Sequence, residues 1–82
     1  MQEYNTMETL LSELKPGQEA IIKEFTSEEI FLKLMEMGCL PGEKIVVENV
    51  APLGDPVSVA VAGYTLSLRK NEAGHIVVNT ID

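Results

Sequence analysis

Cys39, His75, Asp55 and the four methionines are the side chains in this sequence whose types could do chemistry. A tight metal site needs several N, S or O ligands converging at about 2.0–2.6 Å. One cysteine and one histidine, far apart in the chain, form neither a CxxC nor an HExxH spacing. The structural readings are simpler: Cys39 as a small apolar residue beside a helix cap, and His75 as the exposed start of a strand. The methionines show no dense cluster, and Met35 is expected in the core. Asp55, between Gly54 and Pro56, could serve as a catalytic carboxylate. No second acid or histidine at matching spacing gives it an acid–base partner, so it reads as a turn-former. The sequence therefore offers no catalytic, cofactor or metal set, and an enzyme is not expected.

The bulk composition agrees with a binding role. Eighty-two residues allow one domain, read here as 1–82 with a core at about 9–79, and 45% hydrophobic content suits a folded protein. Trp is absent and aromatics make up 5%, so the core must be aliphatic. Such a core supplies only roughly 3–5 kcal/mol of net stability, which leaves little room for strained polar chemistry. A net charge of -7 opposes binding to nucleic acid and to anionic membrane surfaces. The lone cysteine suits a reducing compartment. The start, Met1-Gln2-Glu3-Tyr4-Asn5, lacks the basic and apolar regions of a signal peptide, and no apolar run approaches the roughly 18–20 residues of a membrane span. A cytoplasmic protein that serves any membrane process by docking is the expectation, with homo-oligomerisation left open.

The elements that would position these residues follow from periodicity. Met7, Leu10, Leu11 and Leu14 have helical spacing, but Pro16-Gly17 stops the segment. It reads as one or two helical turns or an irregular arm. Pro16-Gly17 is a turn, and Gln18–Phe25 a strand. Thr26 is the expected helix cap, with Glu29 closing a capping box. Ile30, Phe31, Leu34, Met35 and Met37 follow at helical spacing, Gly38 suits a left-handed C-terminal cap, and Pro41 forbids continuation. Pro41-Gly42 then opens a strand at Glu43–Val50. Pro16–Lys23 and Pro41–Glu48 share one pattern at a separation of 25 residues: Pro-Gly, two polar residues, three apolar residues and a charge. Two units cannot make a solenoid, so this reads as one turn-then-strand solution used twice.

Ala51–Pro56 is a loop, since two prolines and a glycine forbid a regular ladder. Val57–Ala62 and Tyr64–Arg69 alternate in hydrophobicity and predict an antiparallel hairpin turned at Gly63. Lys70–Gly74 is a short helical turn or loop, and His75–Asn79 the last strand. About five short strands with one α-helix inserted after the first are too few for a two-sheet sandwich. Closing them leaves few exposed edges, which predicts a mainly β, SH3-like barrel.

Several segments resemble the FeoA family: Leu34–Glu43, Pro52–Val57, Leu66–Ala73 and Ile76–Val78, with Leu11–Gly17 matching the family's usual start. That family typically shows a helix ending in Leu/Met-Gly-Leu/Cys-x-Pro-Gly, a Gly-Asp-Pro loop, a Leu-x-Leu-Arg strand and a Glu-Ala turn. Each motif alone is weak, but their order and spacing are specific over about Thr9 to Val78. Cys39 departs from the larger aliphatic residue of many members.

The resemblance implies an SH3-like barrel acting in the cytosol in ferrous iron uptake. It would bind and modulate the GTP-binding cytosolic region of the FeoB membrane transporter, with no cofactor of its own; transition-metal binding is associated with the family. The same fold closes iron-dependent repressors, but no helix-turn-helix precedes it here, which argues against a repressor. Arg69 as an arginine finger on the transporter's GTPase is a hypothesis prompted by that partner alone; a local salt bridge with Glu72 is the simpler expectation. Leu40 and Leu53 are apolar residues in turns, where cores rarely reach. The expected docking residues are therefore Cys39, Leu40, Pro41 and Gly42, or Leu53, Gly54, Asp55 and Pro56; the plainer reading has both turns capping the barrel ends. The alternative is a stand-alone SH3-like regulator that self-associates or senses a transition metal ion.

Overall fold

The computed structural model describes residues 7–81; the polar start at Met1–Asn5 lies outside the described residues. Six strands form one antiparallel sheet: β1 (Glu8–Leu10), β2 (Glu19–Phe25), β3 (Lys44–Val50), β4 (Val57–Val61), β5 (Tyr64–Leu68) and β6 (Ile76–Ile81), in the order β1-β6-β2-β3-β4-β5. The helix α1 (Glu28–Met35) follows β2, and α2 (Lys70–Ala73) links β5 to β6.

Alternation decides which face is dry. Ala20 and Ile22 of β2, Ile45 and Val47 of β3, and Val57, Val59 and Val61 of β4 all enter one cluster, with Leu68, Ile76 and Val78 from the last two strands. A single sheet can bring one face of successive strands into one cluster only by curling on itself. The result is the SH3-like barrel that the alternation predicted.

The two Pro-Gly units explain much of the curl. β2 and β3 pair antiparallel, with Ala20 opposite Ile45. Gly17 N–H donates to the Val47 carbonyl (2.7 Å), and Gly42 N–H donates to the Ile22 carbonyl (2.8 Å). Val47 N–H donates to the Gln18 carbonyl (3.0 Å), and Ile22 N–H donates to that of Glu43 (2.9 Å). Each bond maps onto its counterpart under the 25-residue separation of the two units. Both glycines take positive φ, 92° and 96°. The ladders also slip at matching places, between Ile22 and Glu24 on β2 and between Val47 and Asn49 on β3. Bulges increase local twist, so the repeated unit bends the sheet twice.

The structure corrects several expectations. Met7–Leu14 holds one helical turn, the 3-10 helix Leu11–Glu13, but the residues before it, Glu8–Leu10, form β1, which pairs with the edge of β6. Only Leu11 and Leu14 of the four spaced residues are buried, while Met7 and Leu10 are exposed. The segment is too short for helical hydrogen bonds to repay nucleation, whereas an unpaired β6 edge offers ready partners. Among the described residues the strands thus number six, and α1 follows the second.

The cap of α1 is Ser27, whose Oγ accepts from Ile30 N–H (3.3 Å), not Thr26. Thr26 Oγ1 instead hydrogen-bonds His75 Nδ1 at 2.9 Å, tying the helix start to the entrance of β6. Inside α1 only Leu34 is buried. Ile30 is half-buried, as is Phe31, whose ring meets Phe25 edge-on at 5.3 Å. Met35, expected in the core, is exposed, because a short helix lying on a small barrel presents only a narrow stripe inward.

Candidate docking surface

Gly38 ends α1 with φ 82°, and its N–H returns to the Met35 carbonyl at 3.0 Å. Cys39 N–H donates to the Leu34 carbonyl at 3.2 Å, which folds the chain back under the helix. Cys39 is consequently 0% exposed. Burial, aided by the nearby Glu43 charge, pushes its thiol up to about 11. The thiol supports the turn from beneath, while Leu40, Pro41 and Gly42 face outward.

The second turn lies after β3. Leu53 at its tip is 94% exposed, the most exposed large apolar side chain among the described residues. Gly54 adopts φ 87° and donates to the Ala51 carbonyl at 2.7 Å. Asp55 Oδ1 accepts from Lys70 N–H at 3.0 Å, fifteen residues away, so instead of closing its own turn it anchors the loop to the start of α2. Asp55, Pro56, Ser67 and Arg69 line a shallow cavity of about 360 Å³.

These two turns do not meet. They sit at opposite ends of β3, whose seven residues, at about 3.4 Å each, hold them on the order of 20 Å apart. The eight expected docking residues therefore divide between two surfaces.

Arg69 does not make the expected salt bridge. Its backbone N–H donates to Glu72 Oε1 at 2.8 Å, and the other carboxylate oxygen of Glu72 pairs with the Lys33 ammonium from α1. Lys33, then the Arg69 N–H, hold the nearly buried Glu72 carboxyl below its ordinary value. The Arg69 side chain stays exposed beside the cavity. Among the described residues no three His, Cys, Asp or Glu side chains gather where a metal ion could sit.

Sequence reasoning missed the outward side of α1. Leu32 and Met35 lie one turn apart on it, next to Met37 and Leu40, and all four are exposed. Glu28, Glu29, Glu36 and Glu43 are exposed around them. Leu32 breaks the inward periodicity, and that was the available signal.

No helix among the described residues is long and apolar enough to cross a membrane. The FeoA domain profile matches residues 9–80. A Porphyromonas gingivalis Fe(2+) transport protein A/Fe(2+) transporter FeoB fusion protein is 40% identical over 72 residues, covering 87% of this chain; the chain spans 8% of that relative's length. A FeoA protein from Chlorobium tepidum superposes with a TM-score of 0.84 at 39% identity, over 90% of this chain and 71% of that one. A Stenotrophomonas maltophilia FeoA complexed with zinc, described as a prokaryotic SH3 domain protein, superposes with a TM-score of 0.75 at 29% identity, over 85% of this chain and 88% of that one. With the barrel and its paired Pro-Gly turns already in place, the match over 9–80 makes this chain a member of the FeoA domain family.

Proposed function

We propose that this chain is a non-enzymatic adaptor of ferrous iron uptake. It works in the cytoplasm, binding the cytosolic GTP-binding region of a FeoB-type transporter and modulating it. The observation that carries this reading is the Porphyromonas gingivalis relative, in which a segment 40% identical to this chain is continuous with the transporter. A fused pair shares one compartment at high effective concentration, as partners that act together require. The contact surfaces on this reading are the turn at Cys39–Gly42, with Cys39 as its buried support, and the loop at Leu53–Pro56.

Calorimetric titration of the solubilised transporter with the full chain tests the reading. Saturable binding that weakens on charge reversal beside either turn is expected; absence of binding overturns it. The arginine-finger hypothesis for Arg69 has its own test. GTP hydrolysis unchanged by Arg69→Ala in the assembled pair removes it, and a loss of orders of magnitude supports it.

The zinc-bound Stenotrophomonas maltophilia structure favours a second reading, a metal-responsive or self-associating regulator. Equilibrium dialysis with ferrous iron separates the two, since tight stoichiometric binding by the chain alone belongs only to the second.

A further inference from the structure

The outer side of α1 joins two properties that neither turn has. Leu32, 51% exposed, and Met35, 41% exposed, lie three residues apart and so share one helical face. The bonds that fold the chain back from Gly38 and Cys39 onto the last helical turn keep Met37 and Leu40 at the same helix end. Around these four run Glu28, Glu29, Glu36 and Glu43, all exposed. The one basic residue of the helix, Lys33, already pairs with Glu72. The charge left facing outward is therefore all negative.

We infer that this face receives a basic amphipathic helix of a partner protein, its apolar stripe on Leu32, Met35, Met37 and Leu40 and its flanking lysines or arginines against the glutamate rim. The inference rests on the adaptor reading for the partner's existence and adds the chemistry that the partner must present. Methionine thioethers are flexible and polarisable, so they conform to an irregular apolar stripe. A helix reads such a surface through positions i, i+3, i+4 and i+7. The acidic rim raises the encounter rate with a cationic segment and sets its orientation. The same rim excludes the two other occupants of an apolar face. A second copy of this chain would bring glutamates onto glutamates, and an anionic bilayer would repel them.

The test uses the full chain, ¹⁵N-labelled, titrated with an 18-residue helical Leu/Lys peptide and with its Leu/Glu counterpart. Expected are saturating amide shifts confined to residues 28–43 with the Leu/Lys peptide, weakened by salt, and none with the Leu/Glu peptide. Leu32→Ser/Met35→Ser and Glu29→Lys/Glu36→Lys should each weaken binding at least tenfold, while Met7→Ser, an exposed apolar position outside every contact surface named above, leaves it unchanged. All these positions are exposed, and unshifted amides in β4 and β5 verify the fold of each variant. Shifts centred on 53–56, an equal response to both peptides, or dimerisation through α1 overturns the inference. The transporter separates this failure from that of the adaptor reading. If it binds wild type and both α1 double variants equally, the surface is wrong and the adaptor stands. If it binds none while the Leu/Lys peptide binds as expected, the adaptor is wrong and the surface stands.

Discussion

Gly38 and Ala62 meet so closely that a Cβ on the glycine would lie 3.0 Å from the Cβ of the alanine. The contact seats the end of α1 on the two-residue turn between β4 and β5. Ala62 itself sits at φ 52° and Gly63 at φ 83°, the double positive φ of a tight hairpin whose twist matches its strands. Gly38→Ala therefore meets two penalties, a left-handed backbone costing about 1–2 kcal/mol and a collision with Ala62. Ala62→Gly removes the second alone and eases the strain at position 62. The expected result is a smaller cost for Gly38→Ala in the Ala62→Gly background than in wild type, measured by urea unfolding in a double-mutant cycle. Equal costs in both backgrounds would show that the contact carries no energy.

Glu72 ties α2 to α1, since one carboxylate serves both the Arg69 N–H and the Lys33 ammonium. Removing it with Glu72→Ala leaves that N–H without its side-chain acceptor and should cost about 1–2 kcal/mol. The pH dependence has a definite sign. Lys33, then the Arg69 N–H, hold this carboxyl below its ordinary value of 4.5, so its stabilisation is complete above that value. It is lost as pH falls through the lowered folded value. The stability gap between wild type and Glu72→Gln should thus be flat from about pH 8 to 6 and shrink below about pH 4. Lys33→Met should raise the Glu72 midpoint followed by carboxyl-carbon NMR; an unmoved midpoint means that Lys33 is not its partner.

Most of the barrel was legible because period-two alternation and Pro-Gly turns are local signals. Val57, Val59 and Val61 point inward as their spacing required. The repeated Pro-Gly unit was visible as a pattern, but its meaning was not: that each glycine bonds the strand of the other unit is a long-range fact. The misreadings share that character. Nothing near Met7–Leu14 records that β6 needs an edge partner, and nothing near Thr26 records that His75 will take its hydroxyl.

The surface was less legible than the core. Burial enforces a period, whereas exposed residues answer only to the shape around them. Leu40 and Leu53 stood out because turns seldom hold leucine, and both are exposed. Leu32 and Met35 were hidden inside an otherwise ordinary amphipathic run. Which helical face turns outward depends on where the barrel sits, and no local residue encodes that.

Cys39 separates support from contact at the α1 end. With its side chain fully buried and its thiol at about 11, the reactive thiolate is scarce at neutral pH. Iodoacetamide should label the folded chain only through opening events, at a rate that climbs with urea and reaches that of a free thiol once the chain unfolds. Rapid labelling of the native chain would mean that the turn at Leu40–Gly42 opens readily. Cys39→Ser places a hydroxyl where the thiol packs and should cost about 1–3 kcal/mol, while Cys39→Ala loses only packing and costs less. Because the side chain lies beneath the surface, folded Cys39→Ala should bind the Leu/Lys peptide as wild type does. A stable Cys39→Ala chain that lost that binding would show that position 39 reaches the ligand itself, and that the turn rearranges when it docks.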